Sequence, residues 1–210
     1  MKGYYQLTKR GLDLVGSLMG LIFGCPLFLI IALLIKLDSP GPVFFRQKRV
    51  GAGGKDFLMI KFRTMVANAE EILQRDPRLR RIYQKNSYKI KNDPRVTRVG
   101  RVLRKLSLDE LPQLINILKG EMSLVGPRAY KPDELENQLK KHPRLKKYAQ
   151  AVMRIKPGLT GVWQTSGRSE IGFEQRIKLD YSYAQRQSLL FDLWLILKTI
   201  PVVLSSRGAW

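Results

Sequence analysis

Asp109 and Glu110 stand side by side in RVLRKLSLDELPQLINILKGEMSLVGPR, residues 101–128, with Arg101, Arg104 and Lys105 before them and Arg128 in a Gly-Pro-Arg turn after them. The apolar run Leu111, Leu114, Ile115, Ile117 and Leu118 follows at helical spacing, so the carboxylates fall at a helix start. Two registers are open. Ser107 with Glu110 forms a capping-box pattern, or Asp109 is itself the N-cap with Pro112 inside the first turn; the second suits proline better. In both, free amides and the positive end of the helix dipole face the carboxylates and any phosphate beside them. An Asp-Glu pair that merely begins a helix needs no such density of cations. These cations suit an anionic ligand.

Composition points the same way. Across 210 residues, 38 Lys and Arg against 17 Asp and Glu give a net charge of +21 and a pI near 10.3, which calls for nucleic acid, an anionic bilayer or a phosphorylated substrate as partner. The length suits one domain with a real core. Cys25 is the only cysteine, and His142, the only histidine, lies in Lys-Lys-His-Pro-Arg. A disulfide framework, a thiolate metal cluster and a histidine base are therefore not expected.

The elements that must position the carboxylates begin with an N-terminal arm and membrane helix, residues 1–40, followed by a catalytic domain, 41–210. No residue from Leu14 to Ile35 is charged, enough length at about 1.5 Å per residue to cross the hydrocarbon core. Cys25-Pro26 near the middle predicts a sharp kink. Basic residues flank both ends (Lys2, Lys9, Arg10; Lys36, Arg46, Lys48, Arg49). Both flanks stay cytoplasmic only if the helix enters and returns on one face, so a re-entrant helix is preferred to a tilted span.

After Ser39-Pro40-Gly41-Pro42, two β-rich runs around GAGGK predict a hairpin, and Lys55 followed by Asp56 excludes a Walker loop. Alternation places Lys61 and Arg63 on one face, either reaching one phosphate together or simply solvated. Val66 to Asn86 reads as a charged helix interrupted at Asp76-Pro77, Lys91 to Lys105 mostly as loop, and Pro132 as the start of a helix that stops near His142-Pro143, with another to about Arg154. Lys156 to Arg168 reads as a glycine-rich loop in which Trp163 either stacks on a base or is buried, while Gln164 and Arg168 hold a ribose or phosphate. The last helix, Ile171 to Leu197, ends in FDLWLILKTIPVVL, broken by Pro201, and packs in the core or lies in the membrane interface. The fold class is α+β, mainly helical, with a kinked re-entrant membrane helix, a small cytoplasmic domain carrying a β-hairpin, and interfacial amphipathic helices.

The broken apolar helix, SPGPVFFRQKRVG, KFRTM, DPRVTRVGRVLRKLSLDELPQL, GEMSLVGPR and KPGLTGVWQ together resemble the bacterial sugar transferases, the monotopic phosphoglycosyl transferases, along nearly the whole chain. The resemblance is to the catalytic unit of the larger hexose-1-phosphate transferases. It implies transfer of a sugar 1-phosphate, of galactose or glucose rather than an acetamido sugar, from a UDP-sugar to undecaprenyl phosphate, with UMP released, as the first membrane step of a surface glycan. It implies Asp109 as nucleophile, Mg²⁺ held by Asp109 and Glu110, and phosphate handling by Arg104 and Arg128, with Lys61 and Arg63 matching the KFRTM positions. It places the catalytic domain on the cytoplasmic face of the bacterial inner membrane, against anionic lipid. Cys25-Pro26 stands where the family often has Ser-Pro, and Ala129 where it has the second proline of GPRP. A basic membrane scaffold or a membrane-anchored nucleic-acid binder are the rivals; no nucleic-acid motif supports the latter, so no nucleic-acid partner is expected. A homodimer is left open.

Overall fold

A computed structural model describes residues 2–85, 90–205 and 208. Helix α1 (Lys2–Asp38) runs without interruption through Pro26, so the break expected at Cys25-Pro26 does not divide it; Cys25 is free and exposed. It is one helix long and apolar enough, by length and composition, to cross a membrane. Its buried positions, Asp13, Ser17, Ile31 and Ile35, lie on one stripe at the roughly 3.6-residue period of a helix packed on one side. Leu18, Ile22, Phe23, Leu29, Ile30, Leu33 and Leu37 remain exposed.

Strands β1 (Phe44–Val50) and β2 (Asp56–Phe62) form the expected antiparallel hairpin, Phe44 opposite Phe62 and Val50 opposite Asp56. Helices α2 (Ala69–Arg75) and α3 (Pro77–Lys85) divide at Asp76-Pro77 as the sequence suggests; the expected end at Asn86 lies outside the described residues. The stretch Lys91 to Lys105, expected to be mostly loop, instead contains helix α4 (Arg98–Lys105), begun by Thr97, whose side chain accepts from the Gly100 amide. Its alternation of Arg and Lys with Val99 and Leu103 hides a short apolar face under surface charge.

A 3₁₀ turn at Leu108–Glu110 leads into α5 (Gln113–Leu118). Strands β3 (Ser123–Val125) and β4 (Gly158–Thr160) pair in parallel. Between them lie α6 (Pro132–Lys141) and α7 (Lys146–Val152). The stretch expected as a glycine-rich loop is thus β4 followed by a short helix, α8 (Val162–Thr165). The single closing helix expected from Ile171 to Leu197 is two, α9 (Phe173–Arg186) and α10 (Leu189–Leu204), and Pro201 lies inside α10 rather than ending it. Ser188 caps α10 by accepting from the Phe191 amide, a polar stop that an unbroken apolar period overrides on paper.

Among the described residues, four apolar clusters hold these pieces. One matters most to the site: Ile31 and Ile35 of α1 pack with Phe62 and Leu103, and Phe28, Leu108 and Leu111 close around them. Leu108 and Leu111 bracket Asp109 and Glu110, so the carboxylate turn is seated on the apolar helix.

Candidate active site

The carboxylate turn adopts neither register expected from the sequence. Ser107 takes a left-handed conformation at φ 58°, no side chain caps the turn, and α5 begins only at Gln113 after Pro112. A serine at positive φ is held there by its surroundings: its amide donates to the Arg104 carbonyl, its carbonyl accepts from the Glu110 amide, and its hydroxyl accepts from Arg168. The kink stops α4 and swings Asp109 and Glu110 into a cleft of about 400 Å³ shared with Lys61, Arg63, Arg104, Arg128, Trp163, Gln164 and Arg168.

Asp109 is 8 % exposed. Burial, reinforced by Glu110, pushes its carboxyl up to about 6 against the opposing pull of Lys61 and Arg104. Burial also acts on Glu110, but Lys61, whose Nζ donates at 2.8 Å, with Arg128 and Arg168, holds it below the usual range. The two neighbours are thereby separated: one carboxylate is clamped by a cation, the other desolvated and close to neutral pH.

Each cation is placed by a traceable local cause. Lys61 comes from β2, which Asn116 of α5 locks in place: Asn116 Oδ1 accepts from the Ile60 amide at 3.0 Å and Nδ2 donates to the Leu58 carbonyl at 2.8 Å, substituting an amide side chain for a strand. Arg104 Nε donates to Thr64 Oγ1 at 2.9 Å. That reach depends on Gly100, where a Cβ would lie 2.1 Å from the Thr64 carbonyl oxygen, so only glycine lets α4 settle there. Arg128 follows the close crossing of β3 and β4, where a Cβ on Gly126 would meet the Lys156 carbonyl at 2.5 Å; Asp180 accepts from its amide at 3.2 Å.

Not every expected residue lands where its motif suggested. Arg63 lies at the rim of the cleft, but its guanidinium donates to the carbonyls of Pro40 at 2.6 Å and Ser39 at 2.8 Å, capping the end of α1. Carbonyls at and just past a helix C-terminus attract a cation, so the Arg63 donors are turned to the end of α1 while Lys61 bonds Glu110. Trp163 is buried, with the Arg128 guanidinium 4.6 Å and that of Arg176 5.4 Å from its ring centre; of its two readings, the buried one describes its place. Gln164 donates to the Leu159 carbonyl at 3.2 Å, leaving its Oε1 buried without a partner. Buried unpartnered donors also remain at Arg128 Nε and Arg168 Nη1.

Two further cations line the cleft that the sequence did not mark as site residues: Arg49 on β1, which is buried, and Lys131, which precedes α6. In the sequence Arg49 reads as part of a basic flank and of SPGPVFFRQKRVG, with nothing to mark it as a ligand-facing cation.

A desolvated carboxylate beside a clamped one, ringed by guanidinium and ammonium groups and seated on an apolar helix, suits the transfer of a phosphorylated group. The sequence agrees with that class: the family model described as Bacterial sugar transferase matches residues 4–206. The chain belongs to the bacterial sugar transferase family. It is 44 % identical over 207 residues to the exopolysaccharide production protein ExoY of Rhizobium meliloti, covering 97 % of this chain and 88 % of that one. It is 43 % identical to the undecaprenyl-phosphate galactose phosphotransferase of Salmonella typhimurium, covering 98 % of this chain and 42 % of the relative. With the UDP-glucose:undecaprenyl-phosphate glucose-1-phosphate transferase of Caulobacter vibrioides it shares 40 % identity, over 98 % and 73 %.

Proposed function

We propose that this chain moves a hexose 1-phosphate, of galactose or glucose, from a UDP-sugar to undecaprenyl phosphate in two displacements through Asp109. The observation that carries this reading is the buried Asp109 carboxylate between Lys61, Glu110 and Arg104; the names of the Salmonella and Caulobacter relatives supply the substrate class.

In the first step an Asp109 oxygen attacks the β-phosphorus of the donor. The bond from that phosphorus to the bridging oxygen breaks, and UMP leaves with the electron pair. In the second, an oxygen of undecaprenyl phosphate attacks the same phosphorus and the Asp109 carboxylate is released. The incoming phosphate is already ionised, so no strong base is required. Desolvation leaves the Asp109 carboxylate poorly hydrated and reactive, while its value near 6 keeps it ionised at neutral pH. Arg104, Arg128 and Arg168 line the cleft, and cations fixed there stabilise oxygens on which charge accumulates.

The oxygen donors of Asp109 and Glu110 suit Mg²⁺, which takes one or two carboxylates and completes its octahedron with water and substrate phosphates. Among the described residues there is no group of three or more His, Cys, Asp or Glu that could hold a metal ion. When bound there, Mg²⁺ supplies charge neutralisation to the phosphates.

A membrane arrangement on one face accords with this chemistry. Toward its start, α1 is tied to the domain through Lys9 and Arg10, and toward its end through Arg63 and through Asp38, which accepts from the Val99 amide at 2.9 Å. Tethering at both ends to one body fits a helix held on one face of the bilayer, which would turn the exposed Phe23, Leu29, Ile30 and Leu33 to lipid and the basic surface to the anionic leaflet.

The test mixes the protein, Mg²⁺ and UDP-hexoses labelled in the β-phosphate, without lipid. Label on Asp109 that undecaprenyl phosphate chases off supports the reading. Product formed with lipid, but never labelled protein, replaces the two displacements with one.

A further inference from the structure

Beyond the Asp109 turn, the cleft holds a second group of cations. Arg49 and Lys131 line it with Tyr83 and Arg128. Lys131 Nζ donates to the Tyr83 hydroxyl at 2.5 Å and lies 5.2 Å from that ring's centre. Arg49 donates to the Ala129 carbonyl at 2.9 Å and to Gln47 Oε1 at 2.5 Å, and its Nε is buried without a partner.

The nearby acids are committed elsewhere. Glu134 pairs with Arg176 at 3.3 Å, both side chains 2 % exposed, and Asp180 accepts from the Arg128 amide and, at 2.8 Å, from the Tyr130 hydroxyl. Among the described residues no carboxylate pairs with Arg49 or Lys131. Burial, then Arg128, pushes Arg49 down to about 10; burial, then Arg49, pushes Lys131 down to about 8. Glu134 attracts both cations, with Glu110 also acting on Arg49 and Asp133 on Lys131, but with no carboxylate bonded to either, holding these like charges together out of water is costly to the fold. An arriving anion relieves that cost.

We propose that Arg49 and Lys131 grip the second phosphate of the donor, the one that departs with the nucleotide. This rests on the nucleotide-sugar reading above. The phosphates of a diphosphate share a bridging oxygen, so their sites must adjoin. They do: Arg49 donates to the carbonyl of Ala129, the neighbour of Arg128, and Arg49, Arg128 and Lys131 line the same cleft as Asp109 and Glu110. When the bond to the β-phosphorus breaks, the bridging oxygen keeps the electron pair and the departing phosphate gains charge. Cations already fixed at that end stabilise the charge as it forms. The Asp109 end receives the sugar phosphate; this end receives the leaving group.

UMP and uridine, titrated into the protein by calorimetry, test this without turnover. Wild type is expected to bind UMP more tightly than uridine; Lys131→Gln is expected to weaken UMP about tenfold, the loss of one charge-assisted hydrogen bond, and to leave uridine unchanged. Lys131→Arg, which keeps the charge, is expected to retain UMP. UMP bound equally well by wild type and a Lys131→Gln protein that melts normally would overturn the inference while leaving the Asp109 labelling result standing. A wild type that binds no UMP at all would remove the nucleotide-sugar reading, and this site with it.

Discussion

Buried carboxylates occur at two ends of this molecule under opposite regimes. Where the start of α1 meets the domain, Asp192 accepts from Lys9 at 2.7 Å, from Tyr5 at 3.0 Å and from Tyr183 at 2.7 Å, and Asp13 accepts from the Ser123 hydroxyl at 2.9 Å and the Leu124 amide at 2.8 Å. At the cleft, Asp109 is as hidden from water, yet its cations act across space and its carboxyl is pushed upward. The first pair is saturated with donors and holds an apolar helix against the domain. The second is answered mainly by charges at a distance, on the wall of a cleft. Burial alone does not mark function; burial on the wall of a cleft lined with cations does.

The contrast breaks most sharply at Asp109 itself. Asp109→Asn is expected to reduce sugar-phosphate transfer by about 10⁴-fold, the scale on which a covalent nucleophile is lost, with normal helical content by circular dichroism. Asp192→Ala is expected to do the reverse. Three donors are stranded in a buried place, at about 3 kcal/mol in stability, and hydrogen exchange in the first half of α1 rises toward that of a detached helix. If Asp192→Ala melts like wild type, the clamp contributes nothing and the two regions are not different in kind.

A smaller comparison separates Lys61 from Arg63, which strand alternation assigns to one face. Lys61→Gln is expected to slow labelling of Asp109 by about 100-fold, since Glu110 loses its clamp and the phosphate a cation. Arg63→Gln is expected to cost about 1–2 kcal/mol of stability through the uncapped end of α1 while labelling proceeds. Melting curves and labelling rates on the same two proteins check both. Labelling lost in Arg63→Gln without loss of stability would return Arg63 to the phosphate.

That pair also shows where sequence reasoning stops. The hairpin, the division at Asp76-Pro77, α6 and the apolar helix were legible because period, proline and glycine are local signals. Lys61 and Arg63 look equivalent by alternation, but β2 ends at Phe62, and beyond a strand end the period no longer dictates direction. The left-handed Ser107 was invisible, because serine gives no hint of positive φ; it is imposed by bonds to Arg104, Glu110 and Arg168, which are tertiary in part. Arg49 and Lys131 were hidden for another reason. Among 38 Lys and Arg, only burial distinguishes a cation facing a ligand from one facing water. Asn116, buried and bonded to β2 through both amide atoms, reads as an ordinary polar residue on a helix.

The smallest expected effect concerns stability at the site and carries a sign. Asp109 binds its proton more tightly in the folded chain, at about 6 against an ordinary 3.8, so it favours the folded state below the lower value and loses that contribution as pH rises through the upper one. Above pH 6 its charge opposes folding. Removing the charge should therefore stabilise: Asp109→Asn is expected to unfold at a higher denaturant midpoint than wild type at pH 7.5, by about 1–2 kcal/mol, with the gap closing below pH 4. Glu110 is held down instead of up, so its contribution is present at neutral pH and fades as acid protonates it. Glu110→Gln should accordingly be less stable than wild type at pH 7.5 and converge with it at low pH. Opposite signs from adjacent residues cannot come from a general effect of removing charge from a basic protein. An Asp109→Asn protein less stable than wild type at pH 7.5 would place Asp109 with Asp13 and Asp192, among carboxylates the fold keeps for its own support.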